Sequence, residues 1–412
     1  MSGNGASSAT STPLPPLLNA AAPSGVPVCV PSEPRKAVKV STVVNTRYFT
    51  PGQYEKLLAK ARANKMPMAK WEQHRMTACA FISAVGAKLG IPQRTIASAQ
   101  LLYQRFHLFY PPADFAVHQV ALASLFTASK LNDTQKRIHD LLMASYVLRN
   151  MEQLAPPSGA HAGGGADWIA HAHVADADLD LGAMAQERVR LLTLERMMLQ
   201  CICFQFEMRA QKVLRLVVKA ARRWDVPKPL GALAWRIACD AHRTPAPLQY
   251  PPQTVAVGSV YAAVVLAEAN GASVAAHAHF ARPDAWPAEL RTHVDDAKEV
   301  VVHILTSYTQ HLPSLERGSG AVPLYVTHPP PLGLQAWRAA RRAEQLPVTV
   351  PELEQALTHA KIRVRQDEQA RSEPEDARRP RAVARANDAL PATLYRPDPL
   401  EQQMVATRYL LE

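Results

Sequence analysis

Cysteine is scarce in this chain, and the spacing of the cysteines suits neither a disulfide framework nor a zinc knuckle. The sequence holds 5 cysteines in 412 residues, and none of them forms a Cys-x-x-Cys pair. Cys201 and Cys203 fall in an apolar stretch, where free cysteine behaves as a small hydrophobic residue. This usage indicates a reducing compartment and argues against a disulfide framework or a zinc knuckle.

The sequence motifs of several large enzyme classes are also missing. We find no phosphate-binding loop, no GxGxxG after a strand, no HExxH, no GxSxG and no catalytic His-Arg-Asp. The helical segments carry no pair of carboxylates that would face a cleft. We therefore expect a binding or regulatory protein that has no catalytic residue, no metal site and no cofactor.

Long apolar runs are absent as well. No stretch of about 18 uncharged apolar residues occurs, and the first residues lack a basic segment followed by an apolar one. We expect neither a membrane span nor a secretory signal. Residues 1–45 are rich in Ser, Thr, Ala and Pro with almost no aromatic residue, so we expect a disordered arm.

Charge is unbalanced towards the basic side. Lysine and arginine number 46 against 35 acidic residues, a net charge of +11. Such a balance suits acidic partners, but we favour an excess carried by flexible arms. Residues 313–412 are rich in arginine and proline, and we expect them to be mostly disordered, with short helices near 334–345 and 351–365. The run Arg378–Arg385 reads equally as a nuclear-localisation or nucleic-acid patch or as a solvated tail.

The body of the chain has helical periodicity throughout. Thr50, Pro51 and Gln53 predict a capping box at the start of a short leading helix. About five helices follow, then about four more of similar length, which indicates an internal structural duplication. The predicted helices cover approximately 71–89, 95–109, 114–130, 134–148, 186–203, 213–224, 230–242, 252–264 and 297–308.

A segment of low complexity, residues 150–185, interrupts the first group of helices. It contains His161, His171 and His173, which invite a metal-site interpretation. His171 and His173 are two positions apart, a spacing that suits neither face of a helix, and no cysteine supports them. We interpret the segment as a solvated loop insertion.

Lys130 ends an apolar helix, ahead of a polar turn at Asn132–Thr134 that we expect to cap the next helix. Taken alone, the lysine reads as a solvated cation at a helix C-terminus, where the helix dipole favours positive charge. Glu195 taken alone reads as a surface carboxylate on an amphipathic helix.

Both residues, however, stand in longer motifs. Ser129-Lys130-Leu131-Asn132-Asp133 resembles the (A/S)-K-x-E-E signature of the third helix of the cyclin box, and Leu194-Glu195-Arg196 resembles the signature of the fifth. Tyr48–Gln53 is similar to the leading helix of transcriptional cyclins K and T. The segments 88–97, 102–109, 234–244 and 248–252 resemble the fungal branch, the beta subunits of the kinase that phosphorylates the RNA polymerase II C-terminal domain. The similarity covers about residues 47–270, and more weakly to about 310.

The resemblance implies an all-α fold of tandem five-helix cyclin boxes, preceded by a short N-terminal helix and flanked by disordered tails. It divides the chain into a disordered arm (1–45), a first cyclin box (46–206) with its insertion (150–185), a second box (207–312) and a tail (313–412). Two features depart from the family pattern. Asn132 stands where the signature has its first glutamate, and the insertion is long.

The resemblance also implies a function. The chain would be a nuclear regulatory subunit that binds and activates a cyclin-dependent kinase. That kinase would phosphorylate the polymerase C-terminal domain and promote elongation. A third, gamma, subunit would join the complex, the polymerase would be contacted indirectly, and direct contact with membrane or nucleic acid is not expected. By position, the kinase-binding residues would be Lys130, Glu195, Leu131, Leu199, Phe204 and Phe206, although core packing explains the last three equally well.

Three alternatives stay open from the sequence. One is a cyclin of another transcriptional kinase, similar to cyclin K, T or L, although this tail lacks the Arg-Ser repeats of cyclin L. A second is a DNA-binding protein similar to transcription factor IIB, which would need an N-terminal zinc ribbon where Cys29 is the one cysteine of residues 1–45. The third is a helical scaffold without a kinase partner.

Overall fold

The protein is seen here as a computed structural model that describes residues 48–63, 65–150, 181–204, 206, 209–272, 292, 294–316 and 328–369. It also describes the backbone of two short strands, β1 (Ser41–Val44) and β2 (Ala406–Tyr409), which pair as a two-stranded sheet. The sequence pattern did not indicate these strands. The thirteen helices found in the described residues lie in one unit, Thr42–Arg408, so the predicted all-α fold is confirmed.

The first bundle consists of a leading helix and five more. Thr50 and Gln53 form the predicted capping box: the Thr50 hydroxyl accepts from the Gln53 amide at 3.2 Å, and the Gln53 side chain accepts from the Thr50 amide at 3.0 Å. The helices are α1 (Pro51–Arg62), α2 (Met68–Lys88), α3 (Gln93–Phe106), α4 (Val117–Leu131), α5 (Ile138–Arg149) and α6 (Leu181–Cys201).

Helix α4 is the central helix of this bundle. Every residue from 120 to 129 is buried, and α4 packs against α2, α3, α5 and α6. A helix that is apolar on all sides must be surrounded by other helices to stay out of water. Its C-terminal end nevertheless reaches the surface, at Lys130, where the candidate site lies.

A second bundle follows directly. It begins with α7 (Arg209–Arg223), α8 (Lys228–Ala241), the short α9 (Ala246–Gln249), α10 (Pro252–Glu268) and α11 (Val294–Glu316). Here α10 is the central helix, because all residues from 254 to 266 are buried. Two bundles, each built around one fully buried helix, agree with the tandem arrangement expected from the sequence.

The second bundle continues beyond residue 312, where the sequence placed its end. Helices α12 (Leu332–Ala343) and α13 (Val350–Gln369) pack into its core through Leu334, Trp337 and Leu353, each fully buried. The short helices expected near 334–345 and 351–365 are therefore present, but they pack into the second core instead of lying in a mostly disordered tail. Arginine and proline dominate the composition there, but the few apolar residues recur at helical spacing and find a core to fill.

Polar contacts fix the two bundles against each other. The Gln104 side chain on α3 donates to the carbonyl of His242 at 2.7 Å, and the Arg75 guanidinium donates to the carbonyl of Arg243 at 3.2 Å. Arg243 in turn donates to the Ser83 hydroxyl at 3.0 Å. These groups are buried or nearly so, and hydrogen bonds inside a low-dielectric interface resist being opened.

Candidate functional site

An ion pair joins the C-terminal end of α4 to the middle of α6. The Lys130 ammonium lies 2.9 Å from Oε1 of Glu195 and 3.1 Å from Oε2. The Lys130 side chain is 44% exposed and the Glu195 side chain 12%. The structure thus brings together the two charged residues that the sequence singled out, although they are 65 positions apart.

The Lys130 side chain is held from a second side. Its ammonium lies 4.2 Å from the centroid of the Phe126 ring, one turn back on α4. A cation over an aromatic face is attracted by the ring quadrupole. The carboxylate and the ring together restrict the ammonium to one position at the surface, while almost half of the side chain remains open to a partner.

The turn after Lys130 does not cap the following helix, contrary to the expectation from the sequence. Asn132 does not cap the next helix, because its side chain donates back to the carbonyl of Ala128 at 2.9 Å and closes the end of α4. Asp133 takes a left-handed backbone conformation, with φ of 53°. Helix α5 begins only at Ile138, with Arg137 at its N-cap position and no side-chain capping bond.

The four apolar residues expected at the site divide into two kinds. Leu131 and Leu199 are half-buried and pack against the core of the first bundle. Phe204 is 47% exposed and Phe206 is 55% exposed, unusually open for phenylalanine. Core packing therefore explains much of the position of Leu199, but it does not explain the two aromatic rings.

The chain turns sharply after α6 and so presents these rings. Cys203 and Phe204 both have positive φ, 51° and 56°, a region that residues with a Cβ rarely adopt. The amide of Phe204 donates to the carbonyl of Leu199 at 3.0 Å, which closes the turn. The bend closes the C-terminal end of α6, six residues after Glu195, and leaves the Phe204 ring exposed.

Sequence reasoning missed the residue that anchors this turn. Arg105 on α3 is buried, and its Nε donates to the carbonyl of Cys201 at 2.9 Å, at the end of α6. Its guanidinium also lies 5.4 Å from the Phe49 ring centroid and 5.9 Å from that of Phe109. Arg105 and Cys201 are 96 positions apart, so no local pattern connects them.

Sequence reasoning also missed two exposed apolar residues on α6. The predicted core face is confirmed, since Leu191, Leu194, Met198 and Ile202 are buried. Val189 and Leu192 fall outside that face and are 64% and 40% exposed. Leu192, Glu195 and Leu199 follow at spacings of three and four and share one face of the helix. The signal was present in the sequence, as two apolar residues out of step with the core spacing.

The described part of the chain offers no competing chemistry. No group of three or more His, Cys, Asp or Glu residues that could hold a metal ion occurs there. No helix among the described residues is long and apolar enough to cross a membrane. The candidate metal ligands His161, His171 and His173 lie outside the described residues.

The first bundle matches a known protein family. The family model of the cyclin N-terminal domain matches residues 48–207, the range that contains α1–α6 and the Lys130–Glu195 pair. The first bundle is therefore similar to the N-terminal domain of cyclins. The resemblance to the cyclin family, read from the motifs around Lys130 and Glu195, is thereby confirmed.

Individual cyclins and cyclin-like subunits resemble the chain over longer stretches. CTD kinase subunit beta of Schizosaccharomyces pombe is 33% identical over 218 residues, which are 53% of this chain and 58% of the relative. Cyclin pch1 of the same organism is 23% identical over 274 residues, 66% of this chain and 71% of the relative. Human Cyclin-K is 25% identical over 195 residues, 46% of this chain and 29% of the relative.

The match covers only part of the length of these relatives. The matched part spans less than two thirds of CTD kinase subunit beta, whose sequence is therefore only partly represented here. A solved structure of the yeast RNA Pol II CTD kinase CTDK-1 complex aligns with 82% of this chain and 95% of its own chain, at 18% identity and a TM-score of 0.49.

Proposed function

We propose that this protein is a regulatory cyclin subunit that binds and activates a cyclin-dependent kinase. The observation that carries the proposal is the Lys130–Glu195 ion pair at the surface of a bundle that matches the cyclin N-terminal domain, with two exposed aromatic rings just past the end of the helix that carries Glu195. In the family that the sequence resembles, the equivalents of these two residues bind backbone groups around the mobile αC helix of the kinase. The proposed docking surface consists of Lys130, Leu131, Glu195, Leu199, Phe204 and Phe206.

The physical sense of such a surface follows from how kinases become active. A kinase needs the glutamate of its αC helix paired with the lysine of a neighbouring strand before it can position ATP. A partner that binds only the arrangement with αC turned inward shifts the population towards it. Phe204 and Phe206 would supply buried apolar area, and the ion pair would supply fixed donors and acceptors.

The ion pair is suited to this task because it is already assembled. Lys130 and Glu195 satisfy each other in the isolated subunit, so neither charge waits unpaired for the kinase. Most of the entropy cost of ordering the lysine has been met within the cyclin. Its 44% exposure leaves ammonium hydrogen atoms available to carbonyl groups of a partner.

The finer assignment concerns the substrate of the kinase. The similarity to a CTD kinase subunit beta, and to Cyclin-K, favours a kinase that phosphorylates the RNA polymerase II C-terminal domain and promotes transcription elongation. A kinase with that substrate acts in the nucleus, and we propose the same location for this chain. The partners would be the kinase and a third, gamma, subunit, with the polymerase contacted through the kinase.

Another transcriptional kinase is the second candidate. Cyclin pch1 aligns with 66% of this chain, more than the 53% covered by the subunit beta, although at lower identity. Co-expression with kinases of both types would separate the two, since only the cognate kinase should be activated.

Variants of the ion pair test the proposal. Lys130→Ala and Glu195→Ala should reduce activation of the purified partner kinase about tenfold or more, because each removes a group that faces the kinase. Glu195→Ala should lower the melting temperature little, because the Lys130 side chain it leaves is 44% exposed, whereas Lys130→Ala should lower it more, because the Glu195 side chain is only 12% exposed.

Arg363 and Glu268 provide a matched control in the second bundle. Their charged groups lie 2.8 Å apart, with side chains 52% and 14% exposed, close to the values at the proposed site. Arg363→Ala should leave kinase activation unchanged. Normal activation by both Lys130→Ala and Glu195→Ala would refute the proposed docking surface.

A further inference from the structure

Helix α7 carries a dense row of positive charge that the docking surface does not use. Its sequence, RAQKVLRLVVKAARR, contains six basic residues and no acidic one. Five of the basic side chains are described, and all five are exposed: Lys212, Arg215, Lys219, Arg222 and Arg223. The opposite face of α7 is buried in the core of the second bundle through Val213, Val217 and Ala220.

The five charges form one continuous stripe. They follow at spacings of three, four, three and one, which at 100° per residue places them within an arc of about 100°. Lys212 and Arg222 are ten positions apart, so the stripe is about 15 Å long at 1.5 Å per residue. An extended anionic chain lying along the helix would meet positive charge at every turn.

Charges of one sign recur along the exposed face of α7. Like charges three and four positions apart on a helix repel each other and lower its stability. The helix dipole compensates Arg222 and Arg223 at the C-terminus, but it works against Lys212 near the N-terminus. A row of mutually repelling charges on the exposed face of a well-packed helix is typical of a surface that meets an anionic partner.

We propose that the α7 stripe binds a polypeptide segment that carries several phosphates, of the kind that the associated kinase produces. Guanidinium groups bind phosphate through two parallel hydrogen bonds, and lysine adds a point charge. The choice of partner rests on the proposed function, because a kinase that adds successive phosphates to one chain generates this ligand. Holding a phosphorylated stretch on the cyclin would keep the next site of the same chain close to the kinase.

The position of the stripe supports this choice. Only two residues of chain separate Phe206, on the proposed docking surface, from Arg209 at the start of α7. The three residue-to-residue steps span at most about 11 Å, so α7 begins close to where the kinase would lie. Helix α7 contains no aromatic residue, and binding of single-stranded nucleic acid relies on aromatic rings that stack on bases.

The test measures binding of the full-length chain to a fluorescent synthetic peptide with several phosphoserines, by anisotropy at low and high salt. The unphosphorylated peptide should bind at least about tenfold more weakly, and added salt should weaken the phosphopeptide complex. Reversal of two charges in Arg215→Glu/Lys219→Glu should lower phosphopeptide affinity about tenfold or more. Lys56→Glu/Lys60→Glu on α1 is the matched control, since these lysines are also exposed and four positions apart, and it should bind normally.

Three results would overturn the proposal: equal affinity for the two peptides, equal loss in both double variants, or tighter binding of a single-stranded RNA than of the phosphopeptide. The last would make the stripe a nucleic-acid surface. The same preparations are assayed for kinase activation on an unphosphorylated peptide in single-turnover conditions, where Arg215→Glu/Lys219→Glu should act like the unaltered protein. Failure of the unaltered chain to activate any kinase would refute the proposed function, whereas binding of the phosphopeptide tests the stripe separately.

Discussion

The carboxylate of Asp240 on α8 lies 2.6 Å from the backbone nitrogen of Gly333, at the start of α12. It also accepts a hydrogen bond from the amide of Leu332 at 2.8 Å and from the hydroxyl of Tyr308 at 2.8 Å. A buried carboxylate at a helix N-terminus satisfies amides that have no partner within the helix. The Asp240 side chain therefore joins α8, α11 and the start of α12 through hydrogen bonds.

Replacement of Asp240 should destabilise the fold strongly. Asp240→Ala leaves two buried donors and one partly buried donor without an acceptor, so we expect the free energy of unfolding to fall by about 3–5 kcal/mol. Urea denaturation followed by circular dichroism measures this loss. Asp114→Ala is the control, because Asp114 is exposed and has no positive φ, so it should change stability by less than about 0.5 kcal/mol. A loss at Asp240 no larger than at Asp114 would contradict the described network.

The boundary of the second bundle gives a separate prediction. A chain that ends at residue 316 loses Leu334, Trp337, Leu353 and Leu357, which fill the second core. We expect it to aggregate or to lose its cooperative thermal transition, because the exposed core surface would have no cover. A chain that ends at residue 370 keeps both helices and should melt as the full-length protein does. If the shorter chain melts equally well, α12 and α13 are dispensable.

Most helices of this fold and the two charged residues of the candidate site could be predicted from the sequence. Helical spacing located the helices of both bundles, because apolar residues that recur every three or four positions report the buried face directly. The capping box at Thr50 and Gln53 was predictable to the residue, since it depends on neighbours in sequence. Lys130 and Glu195 were recognisable because each stands in a short local motif.

What the sequence could not provide depends on distant contacts or on composition. Arg105 reads as one more helical arginine until α3 and α6 are placed side by side. The turn at Asn132 was misinterpreted because its side chain serves equally well as a cap for the next helix or as a closure for the previous one. The helices α12 and α13 were expected, but their packing into the second core was not, because arginine and proline dominate the composition and obscure the few apolar residues that pack.

Buried histidines predict how stability depends on pH. The pKa values of His107, His242 and His311 are lowered from 6.5 to about 4, chiefly by burial and, at His311, also by the charges of Arg243 and Arg75. In the unfolded chain these rings bind protons below about pH 6.5, whereas the folded protein keeps them neutral down to about pH 4. Stability should therefore be complete above pH 6.5 and fall as the pH drops through this window.

The size of the effect is measurable. At about pH 5, each histidine should remove about 2 kcal/mol of stability, judged from the separation of its two pKa values. Melting temperature recorded between about pH 7.5 and about pH 5 at constant ionic strength measures it. His107→Gln should flatten the curve, because glutamine does not titrate between about pH 7.5 and about pH 5. The variant should still fold, since the glutamine amide can donate to the carbonyl of Tyr110, which His107 contacts at 3.2 Å. A melting temperature that stays constant across this range would show that the histidines are not buried as described.

The central claim is that this chain is the activating subunit of a protein kinase, and recovery of its partners tests it most directly. The tagged full-length protein would be purified from its own cells and its partners identified by mass spectrometry. Lys130→Ala, Glu195→Ala and the control Arg363→Ala would be purified in parallel. We predict one protein kinase and a small third subunit with the unaltered chain and with Arg363→Ala, and much less kinase with the other two. Recovery of polymerase and promoter DNA without any kinase would contradict the account.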